Sequence, residues 1–420
     1  MRRYFGTDGV RGVVGEELTA ELVGRLGTAF ALWSGGRPVL VGRDTRVSGP
    51  ELEAALAAGL AAGGSAVGLA GVLPTPAVAL LAEESGAVIS ASHNPPEYNG
   101  VKFFAAGAKL TDEEEEAVEA LLGAPGLGGG SVARVGDLAD RYLDLVVERF
   151  GRPLDGLRVA VDCANGALSA IAPAAFRRLG AAVTVIGASP ESGLINVGCG
   201  ATDLSLLSRV AREKGADLGV AFDGDGDRML AVDAAGNEVD GDQILAFLAL
   251  HLGVDLVAVT VMTNLGFHRL MAERGVRVVT TDVGDRYVLE ALLREGGLLG
   301  GEQSGHLLWL DGHVSGDGLA AALLLCGALV ESGRTLAEAA AVMPRWPQAK
   351  ANVRVRSKEI PSTLADRVAA ANAGLDGRAR LVVRPSGTEP VVRVLAEAES
   401  EEEARDLCAS MAALVERELG

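Results

Sequence analysis

The sequence is short of the features that direct a protein to nucleic acid, to a membrane surface or to disulfide bonding. Its 420 residues include 38 Lys and Arg against 56 Asp and Glu, and the net charge of -18 disfavours nonspecific binding to nucleic acid or to an anionic membrane face. The few cysteines form no CxxC pair, so we expect reduced, buried thiols of a cytoplasmic protein and neither a zinc site nor a disulfide framework. They are Cys163, Cys199, Cys326 and Cys408.

No segment predicts secretion or membrane insertion. The amino terminus begins Met1-Arg2-Arg3 and reaches Asp8 without an apolar core, unlike a secretory signal. No residue is charged between Ala54 and Leu81, a length that would cross a bilayer. The Gly63-Gly64 pair and two prolines interrupt this stretch, so it predicts a helix, a turn and a strand instead.

A dinucleotide-binding fingerprint is missing as well. The loop at residues 123–130 is rich in glycine but holds no complete GxGxxG. That motif would also need a strand directly before it and a helix directly after it. We therefore expect only a flexible connection there.

The length and the alternation of strands with helices predict several domains. At roughly 100–200 residues per domain, this chain should hold two to four. Changes in pattern put the domains at residues 1–150, 151–250, 251–345 and 346–420. In each of them an apolar strand is followed by a polar loop. The simplest arrangement is a cleft that the four small domains share and that these loops line.

The first of these polar loops carries a serine. Ala87-Val88-Ile89 predicts a buried strand, which puts Ser92 at the carboxyl end of a strand, where open α/β sheets bind ligands. We expect a second strand from Gly100 to Phe104, and a hairpin with the first strand would bring Lys102 back to the same cleft. A Ser-His-Asn-Pro turn whose hydroxyl satisfies only its own loop is the alternative.

The second loop carries alternating aspartates. Asp223-Gly224-Asp225-Gly226-Asp227-Arg228 follows the apolar strand from Leu218 to Phe222. Three carboxylates separated by glycines form an oxygen cage for a hard divalent cation. An EF-hand would need Gly at Arg228 and Glu at Ala234, so that type of site is excluded. A solvated acidic turn is the remaining alternative.

The third and fourth loops suit a sugar and a phosphate. Glu302 and Ser304 alternate in the loop 300–306, so we expect both to point into one pocket and to bind hydroxyls or an amine. In the loop 384–390, followed by Arg393, backbone amides, two hydroxyls and arginine are the usual parts of an anion nest. A structural histidine in the third loop and a plain hairpin turn in the fourth are the alternatives. A serine, a cation, a sugar pocket and a phosphate nest in one cleft point to phosphoryl transfer on a sugar phosphate.

Four motifs in this order resemble the signatures of the α-D-phosphohexomutase family. They are Ser90-Ala91-Ser92-His93-Asn94-Pro95, Asp223-Gly224-Asp225-Gly226-Asp227-Arg228, Gly301-Glu302-Gln303-Ser304-Gly305-His306 and Arg384-Pro385-Ser386-Gly387-Thr388-Glu389-Pro390. The resemblance runs from Phe5 to Arg393. It implies three similar α/β domains with mixed sheets and a smaller C-terminal α+β domain around a central cleft.

The resemblance also implies roles for individual residues. One Mg2+ would be held by a phosphorylated Ser92 together with Asp223, Asp225 and Asp227. Further catalytic roles would fall to Arg11, His93, Lys102, Arg228 and His306. The substrate would be bound by Glu302, Gln303, Ser304, Arg384, Ser386, Gly387, Thr388 and Arg393. Three carboxylates and a phosphoserine of about -1.5 to -2 greatly exceed one dication, which gives the cationic side chains a physical reason to lie nearby.

Within the family, Gln303 and the opening segment Phe5 to Gly12 most resemble the branch that acts on glucosamine phosphates. That branch implies interconversion of glucosamine 6-phosphate and glucosamine 1-phosphate through glucosamine 1,6-bisphosphate. A mutase of broad specificity for mannose or glucose phosphates, a non-catalytic sugar-phosphate binding protein and a phosphatase with Asp223 as nucleophile are the alternatives. We expect a small phosphosugar as partner and a monomer or homodimer.

Overall fold

Four separate β-sheets divide the chain. The protein is described here by a computed structural model that covers residues 3–6, 8–386 and 390–420. Within these residues, three mixed sheets of seven, five and four strands are followed by an antiparallel sheet of three. This confirms the predicted α/β architecture of three similar mixed-sheet units and a smaller C-terminal one.

The first unit has the sheet order β1-β5-β4-β2-β3-β7, with β6 paired to β5. Its strands are β1 (Val10–Val13), β2 (Val39–Arg43), β3 (Ala66–Val72), β4 (Ser85–Ile89), β5 (Tyr98–Ala105), β6 (Ala108–Lys109) and β7 (Ser131–Arg134). Its helices are α1 (Ala20–Trp33), α2 (Gly49–Ala62), α3 (Thr75–Leu81), α4 (Asp112–Ala120) and α5 (Leu138–Phe150). The uncharged stretch expected to be a helix, a turn and a strand also contains α3, because its second proline, Pro76, stands in the first turn of a helix, where proline is tolerated.

The second unit has the sheet order β12-β11-β10-β8-β9. Its strands are β8 (Arg158–Asp162), β9 (Ala182–Ile186), β10 (Leu218–Phe222), β11 (Met229–Asp233) and β12 (Glu238–Val239). Its helices are α6 (Ile171–Arg178) and α7 (Ser205–Lys214), with short 3-10 turns at Pro190–Ser192 and Gly200–Thr202.

The third unit has the sheet order β14-β13-β15-β16. Its strands are β13 (Leu256–Thr260), β14 (Arg277–Thr281), β15 (Leu299–Gly301) and β16 (Leu307–Trp309). Its helices are α8 (Gly241–Leu252), α9 (Leu265–Glu273), α10 (Asp285–Glu295), α11 (Gly318–Ser332) and α12 (Leu336–Ala340). The predicted boundary at residue 250 falls inside α8, which begins at a capping box on Asp240. The domain boundaries otherwise stay predictions.

The C-terminal unit has the sheet order β17-β19-β18. Its elements are β17 (Gln348–Arg354), α13 (Ser362–Leu375), β18 (Ala379–Pro385), β19 (Val391–Ala398) and α14 (Glu401–Leu419). It has an apolar core of its own, whereas one large core runs through the second and third units and takes in Tyr142 and Phe150 of α5. None of the described helices has the length and apolar character needed to cross a membrane.

The same strand position supports the polar loop in each of the three mixed sheets. Strand β4 pairs in parallel with β2 and antiparallel with β5, and the serine loop follows it. Strand β10 is likewise parallel to β8 and antiparallel to β11, and the aspartate loop follows it. Strand β15 is parallel to β13 and antiparallel to β16, and leads into Glu302. The three loops therefore leave their sheets where the strand direction changes.

Candidate active site

The serine loop and the aspartate loop meet face to face. Ser92 is buried in a left-handed backbone conformation with φ of 51°, and its Oγ donates a hydrogen bond of 2.6 Å to Asp223 Oδ2. His93 Nδ1 lies 3.1 Å from the same hydroxyl oxygen. The predicted proximity of Ser92 to the aspartates is thus present in the structure.

The three aspartates of the second loop form a buried cage. Each of Asp223, Asp225 and Asp227 offers a carboxylate oxygen within 4.8 Å of the others, and all three are at most 3% exposed. Asp225 Oδ1 and Asp227 Oδ1 are buried and accept no hydrogen bond from the described residues. Buried carboxylate oxygens without donors are the ligands that a hard divalent cation prefers, so these residues fit Mg2+.

The electrostatics of the cage also favour a cation. Burial, and then the charges of Asp227 and Asp225, raise the pKa of Asp223 well above its usual value. Burial would do the same to Asp227, but Lys102 and His306 hold the pKa of that carboxyl below its usual range. A bound dication would relieve the mutual repulsion of the carboxylates that raises the pKa of Asp223.

Predicted cationic residues surround the cage. Lys102 is buried on β5, and its Nζ lies 2.8 Å from Asp225 Oδ2 and 3.4 Å from Asp227 Oδ2. Arg228 Nε lies 3.9 Å from Asp227 Oδ1. Arg11 lies further out, with Nη1 3.5 Å from the Asn94 side-chain oxygen.

Three charged residues without a predicted role complete this network. Asp8 Oδ2 lies 2.9 Å from Lys102 Nζ and also pairs with Arg11. Lys109 Nζ is 2.7 Å from Asp8 Oδ1 and 2.7 Å from Asp285 Oδ2. The presence of Asp8 and Asp285 in polar loops was the available sequence signal, but nothing in the sequence pairs them through Lys109.

The two candidate histidines have different settings. Burial, with the charges of Arg228 and Arg11, lowers the pKa of His93 to about 4. His306 Nε2 lies 3.2 Å from Asp285 Oδ2 and its Nδ1 lies 3.9 Å from Asp227 Oδ1. The structure therefore brings His306 into the charged network. This disagrees with the alternative of an isolated structural histidine.

The sugar loop differs from its predicted geometry. Strand β15 ends at Gly301, and a tight turn follows in which the Gly305 amide donates to the Glu302 carbonyl. Strand alternation for Glu302 and Ser304 is therefore wrong: Glu302 is buried and accepts from the Gly284 amide at 3.2 Å, whereas Ser304 is exposed. Gln303 Nε2 donates to Asp240 Oδ2 at 3.3 Å.

The C-terminal unit presents two arginines on neighbouring strands. Arg384 of β18 lies opposite Arg393 of β19. Burial and the charge of Arg393 lower the pKa of Arg384, while Glu302 of the sugar loop acts in the opposite direction. Like charges opposite each other are unfavourable unless an anion lies between them. Ser386 is buried at the end of β18, and the predicted ligands Gly387 and Thr388 lie outside the described residues.

Models of one family match the whole succession of units. The phosphoglucomutase/phosphomannomutase alpha/beta/alpha domains I, II and III match residues 2–125, 140–236 and 240–346, and the C-terminal domain of that family matches residues 350–414. The chain belongs to the phosphoglucomutase/phosphomannomutase family. The resemblance indicated by the four motifs is confirmed, and with it the prediction of phosphoryl transfer on a sugar phosphate, which makes the protein an intramolecular phosphotransferase of the isomerase class.

Relatives and solved structures of this family match over almost their full length. The phosphoglucosamine mutase of Saccharopolyspora erythraea is 50% identical over 99% of this chain and 99% of its own. The phosphoglucosamine mutase of Frankia alni is 49% identical over 99% of this chain and 98% of its own. A phosphoglucomutase/phosphomannomutase family protein of Burkholderia thailandensis, 27% identical, has a similar structure with a TM-score of 0.86 over 99% of this chain and 97% of its own. Within the family, the similarity is to bacterial phosphoglucosamine mutases.

Proposed function

We propose that the protein interconverts glucosamine 6-phosphate and glucosamine 1-phosphate by lending a phosphoryl group from Ser92. The observation that carries this proposal is the 2.6 Å contact between Ser92 Oγ and Asp223 within a buried cage of three aspartates. A serine at this position holds its phosphoryl group beside the cation site, in a setting that excludes bulk water.

Phosphoryl transfer would run twice in opposite directions. The sugar O1 loses its proton to a base and attacks the phosphorus on Ser92, the bond from phosphorus to Ser92 Oγ breaks, and Oγ takes up a proton. The resulting glucosamine 1,6-bisphosphate turns end for end. Ser92 Oγ then loses its proton and attacks the 6-phosphoryl group, the bond from phosphorus to O6 breaks, O6 takes up a proton, and glucosamine 1-phosphate is released.

The buried cations have the chemistry that this transfer needs. Although burial opposes it, Asp225 and Asp8 raise the pKa of Lys102 well above its usual value, so this residue holds a positive charge at the reacting group. Mg2+, held by Asp223, Asp225, Asp227 and the phosphorylated Ser92, would supply Lewis-acid stabilisation of the phosphoryl oxygens. Among the candidates for proton transfer, His93 lies next to the nucleophile and His306 lies on the sugar loop.

Substrate binding would join the sugar loop to the C-terminal unit. Arg384 and Arg393, with Ser386, Gly387 and Thr388, would bind the phosphate that is not being transferred. Glu302, Gln303 and Ser304 would bind the sugar, and the buried carboxylate of Glu302 suits hydroxyls or an ammonium group. One phosphate nest opposite one phosphoryl donor requires the bisphosphate to reorient.

Two observations support glucosamine over other hexoses. Gln303 belongs to the motif by which the sequence resembles the glucosamine branch of the family, and relatives near 50% identity are named phosphoglucosamine mutases. The four cysteines are free and buried, and a cytoplasmic location stays a prediction. A monomer or homodimer stays a prediction.

A substrate panel tests the proposal. Glucosamine, glucose and mannose 6-phosphates are assayed with Mg2+ and catalytic 1,6-bisphosphate, and intact mass with phosphopeptide mapping measures the phosphate on Ser92. We expect the highest kcat/KM with glucosamine 6-phosphate and a phosphorylated Ser92. A higher kcat/KM with mannose 6-phosphate would favour the broad-specificity mutase, and an enzyme that never carries phosphate on Ser92 would contradict the mechanism.

A further inference from the structure

Arg46, in the loop between β2 and α2, is wholly buried beneath the serine loop. Its guanidinium has five N–H donors, and each has an acceptor in the structure. Nε donates to Asp44 Oδ2 at 2.9 Å, while Nη1 donates to the carbonyls of Pro95 and Tyr98. Nη2 donates to the carbonyl of Ser92 at 3.0 Å and to that of Asn94 at 2.7 Å. One side chain thus fixes four carbonyls of the loop that carries the proposed nucleophile.

The amide of Ser92 is fixed by the same system. Ser90 Oγ donates to Asp44 Oδ2 at 2.6 Å and accepts from the Ser92 amide at 2.9 Å. Asp44 therefore links the guanidinium on one side of the loop to the backbone N–H on the other. Both polar backbone groups of Ser92 have defined partners.

The second unit reaches across to the same two carbonyls. Asn196 Nδ2 donates to the Ser92 carbonyl at 2.8 Å and to the Asn94 carbonyl at 3.2 Å. A Cβ on Gly224, in the aspartate loop, would lie 2.8 Å from the Ser92 carbonyl and 3.0 Å from Asn196 Nδ2. The Ser92 carbonyl is therefore enclosed by Arg46, Asn196 and the aspartate loop.

These contacts bear directly on an unusual backbone conformation. Ser92 has φ of 51°, a region that non-glycine residues avoid and that persists only where neighbouring structure over-determines it. In that conformation its side chain points at Asp223. We infer that Arg46 and Asn196 are positioning residues for phosphoryl transfer, which hold Ser92 in its left-handed conformation against the aspartate cage.

This inference rests on the proposed function, and paired variants separate the two. Arg46→Lys keeps the charge but replaces a planar five-donor group by one that cannot reach four carbonyls. Its matched control is Arg43→Lys, three residues earlier, where the arginine pairs with Glu53 and donates to the Asp44 carbonyl. Asn196→Asp is isosteric and replaces the donating amide by an acceptor.

The control for Asn196→Asp is Asn165→Asp. Asn165 and Asn196 are both left-handed, with φ of 52° and 60°, but the side-chain amide of Asn165 donates to the Leu194 carbonyl. Because aspartate tolerates this backbone region, both variants should fold.

The readouts are the rate at which Ser92 gains phosphate from glucosamine 1,6-bisphosphate, measured by intact mass, and kcat, KM and the thermal midpoint. We expect Arg46→Lys and Asn196→Asp to lower the loading rate and kcat at least about tenfold with KM nearly unchanged, because a misplacement near 1 Å costs up to about a hundredfold. The two controls should keep wild-type rates.

Loading and kcat at wild-type levels in both test variants would overturn the inference, and so would equal losses in the controls. A loss of thermal stability with normal loading would assign these residues a structural role only. Failure of the wild-type protein to load Ser92 would instead contradict the proposed function.

Discussion

The two sides of the cleft are built differently. On the side of Ser92, buried charged groups from three units form ion pairs with one another. Lys102 by itself contacts three carboxylates, those of Asp8, Asp225 and Asp227. On the opposite side, Arg384 and Arg393 project, half-buried, from a small sheet with a separate core. The first side is preorganised to stabilise the charge that develops during the proposed phosphoryl transfer. The second side is suited to binding and releasing the phosphosugar.

Hydrogen bonds connect the C-terminal unit to the third unit. Asn264 and Trp346 exchange two hydrogen bonds of 3.0 Å, and Arg380 Nη2 donates to the Thr263 carbonyl at 2.6 Å. Arg380 also pairs with the buried carboxylate of Glu397. Arg380 precedes Arg384 by four residues on β18, so these contacts are made by a different part of the strand from the one that carries the proposed phosphate ligand.

Replacing the nucleophile should have the largest effect. Ser92→Ala removes the only oxygen that the mechanism uses to carry the phosphoryl group, so we expect kcat to fall at least about a thousandfold. Steady-state assays and intact mass measure this. Asp223 as nucleophile would instead leave most of the activity in the variant.

Removal of the divalent cation should come next. We expect chelation to abolish turnover and added Mg2+ to restore it. Without the cation, the three carboxylates repel one another and repel the phosphoserine. The thermal midpoint should also rise with added Mg2+, by an amount corresponding to about 2.7 kcal/mol at a hundredfold excess over Kd. Asp225→Asn should weaken that shift, and an unchanged midpoint over the whole Mg2+ range would contradict a cation site in the cage.

A smaller effect is expected for the arginines of the C-terminal unit. Arg384→Ala removes one charge-assisted contact to phosphate, which should lower kcat/KM about tenfold to a hundredfold, mainly through KM. Arg354→Ala, at an exposed position on β17 of the same sheet, is the control and should behave like wild type. A fall in kcat as large as that of Ser92→Ala would abolish the distinction between the two sides.

The smallest effect on turnover is expected for a change at Asp242, a buried carboxyl close to the contacts between the third unit and the C-terminal unit. Burial, and then the charge of Asp240, raise the pKa of Asp242 to about 7. The folded protein therefore keeps this proton where the unfolded chain has lost it, and stability should fall as the pH rises from about 4 to about 7.

Asp242→Asn removes this penalty because the amide does not ionise and can still accept from the Asn264 amide. The variant should be more stable than wild type at pH 8, on the order of 1.4 kcal/mol per unit of pKa shift, with no gain at pH 4. Denaturant unfolding at both pH values measures it, and activity should be unchanged. An equal gain at both pH values would show that Asp242 does not titrate on unfolding.

The sequence predicted the parts of the site that are local and missed those that are distant. Glycines alternating with aspartates after an apolar strand identified the cage, because strand, turn and ligands are contiguous. Lys109 joins Asp8 to Asp285, and Asn196 reaches the Ser92 carbonyl, through contacts between residues about a hundred or more positions apart that no periodicity encodes. Glu302 and Ser304 alternate in the sequence, but strand β15 ends at Gly301, so no strand holds the two side chains on one face.

The lysine that joins Asp8 to Asp285 also limits how the molecule can be divided. Asp8 and Lys109 belong to the first unit and Asp285 to the third. A separated first unit would therefore keep the pair of Lys109 with Asp8 but lose Asp285, and a separated third unit would leave Asp285 without its lysine and expose it to water. Fragments cut at the linkers would therefore lose the geometry that catalysis needs even if each kept its own sheet. The active site is a property of the uncut polypeptide, and exchanging one unit for that of a relative requires the incoming unit to carry its own member of the pair between Lys109 and Asp285.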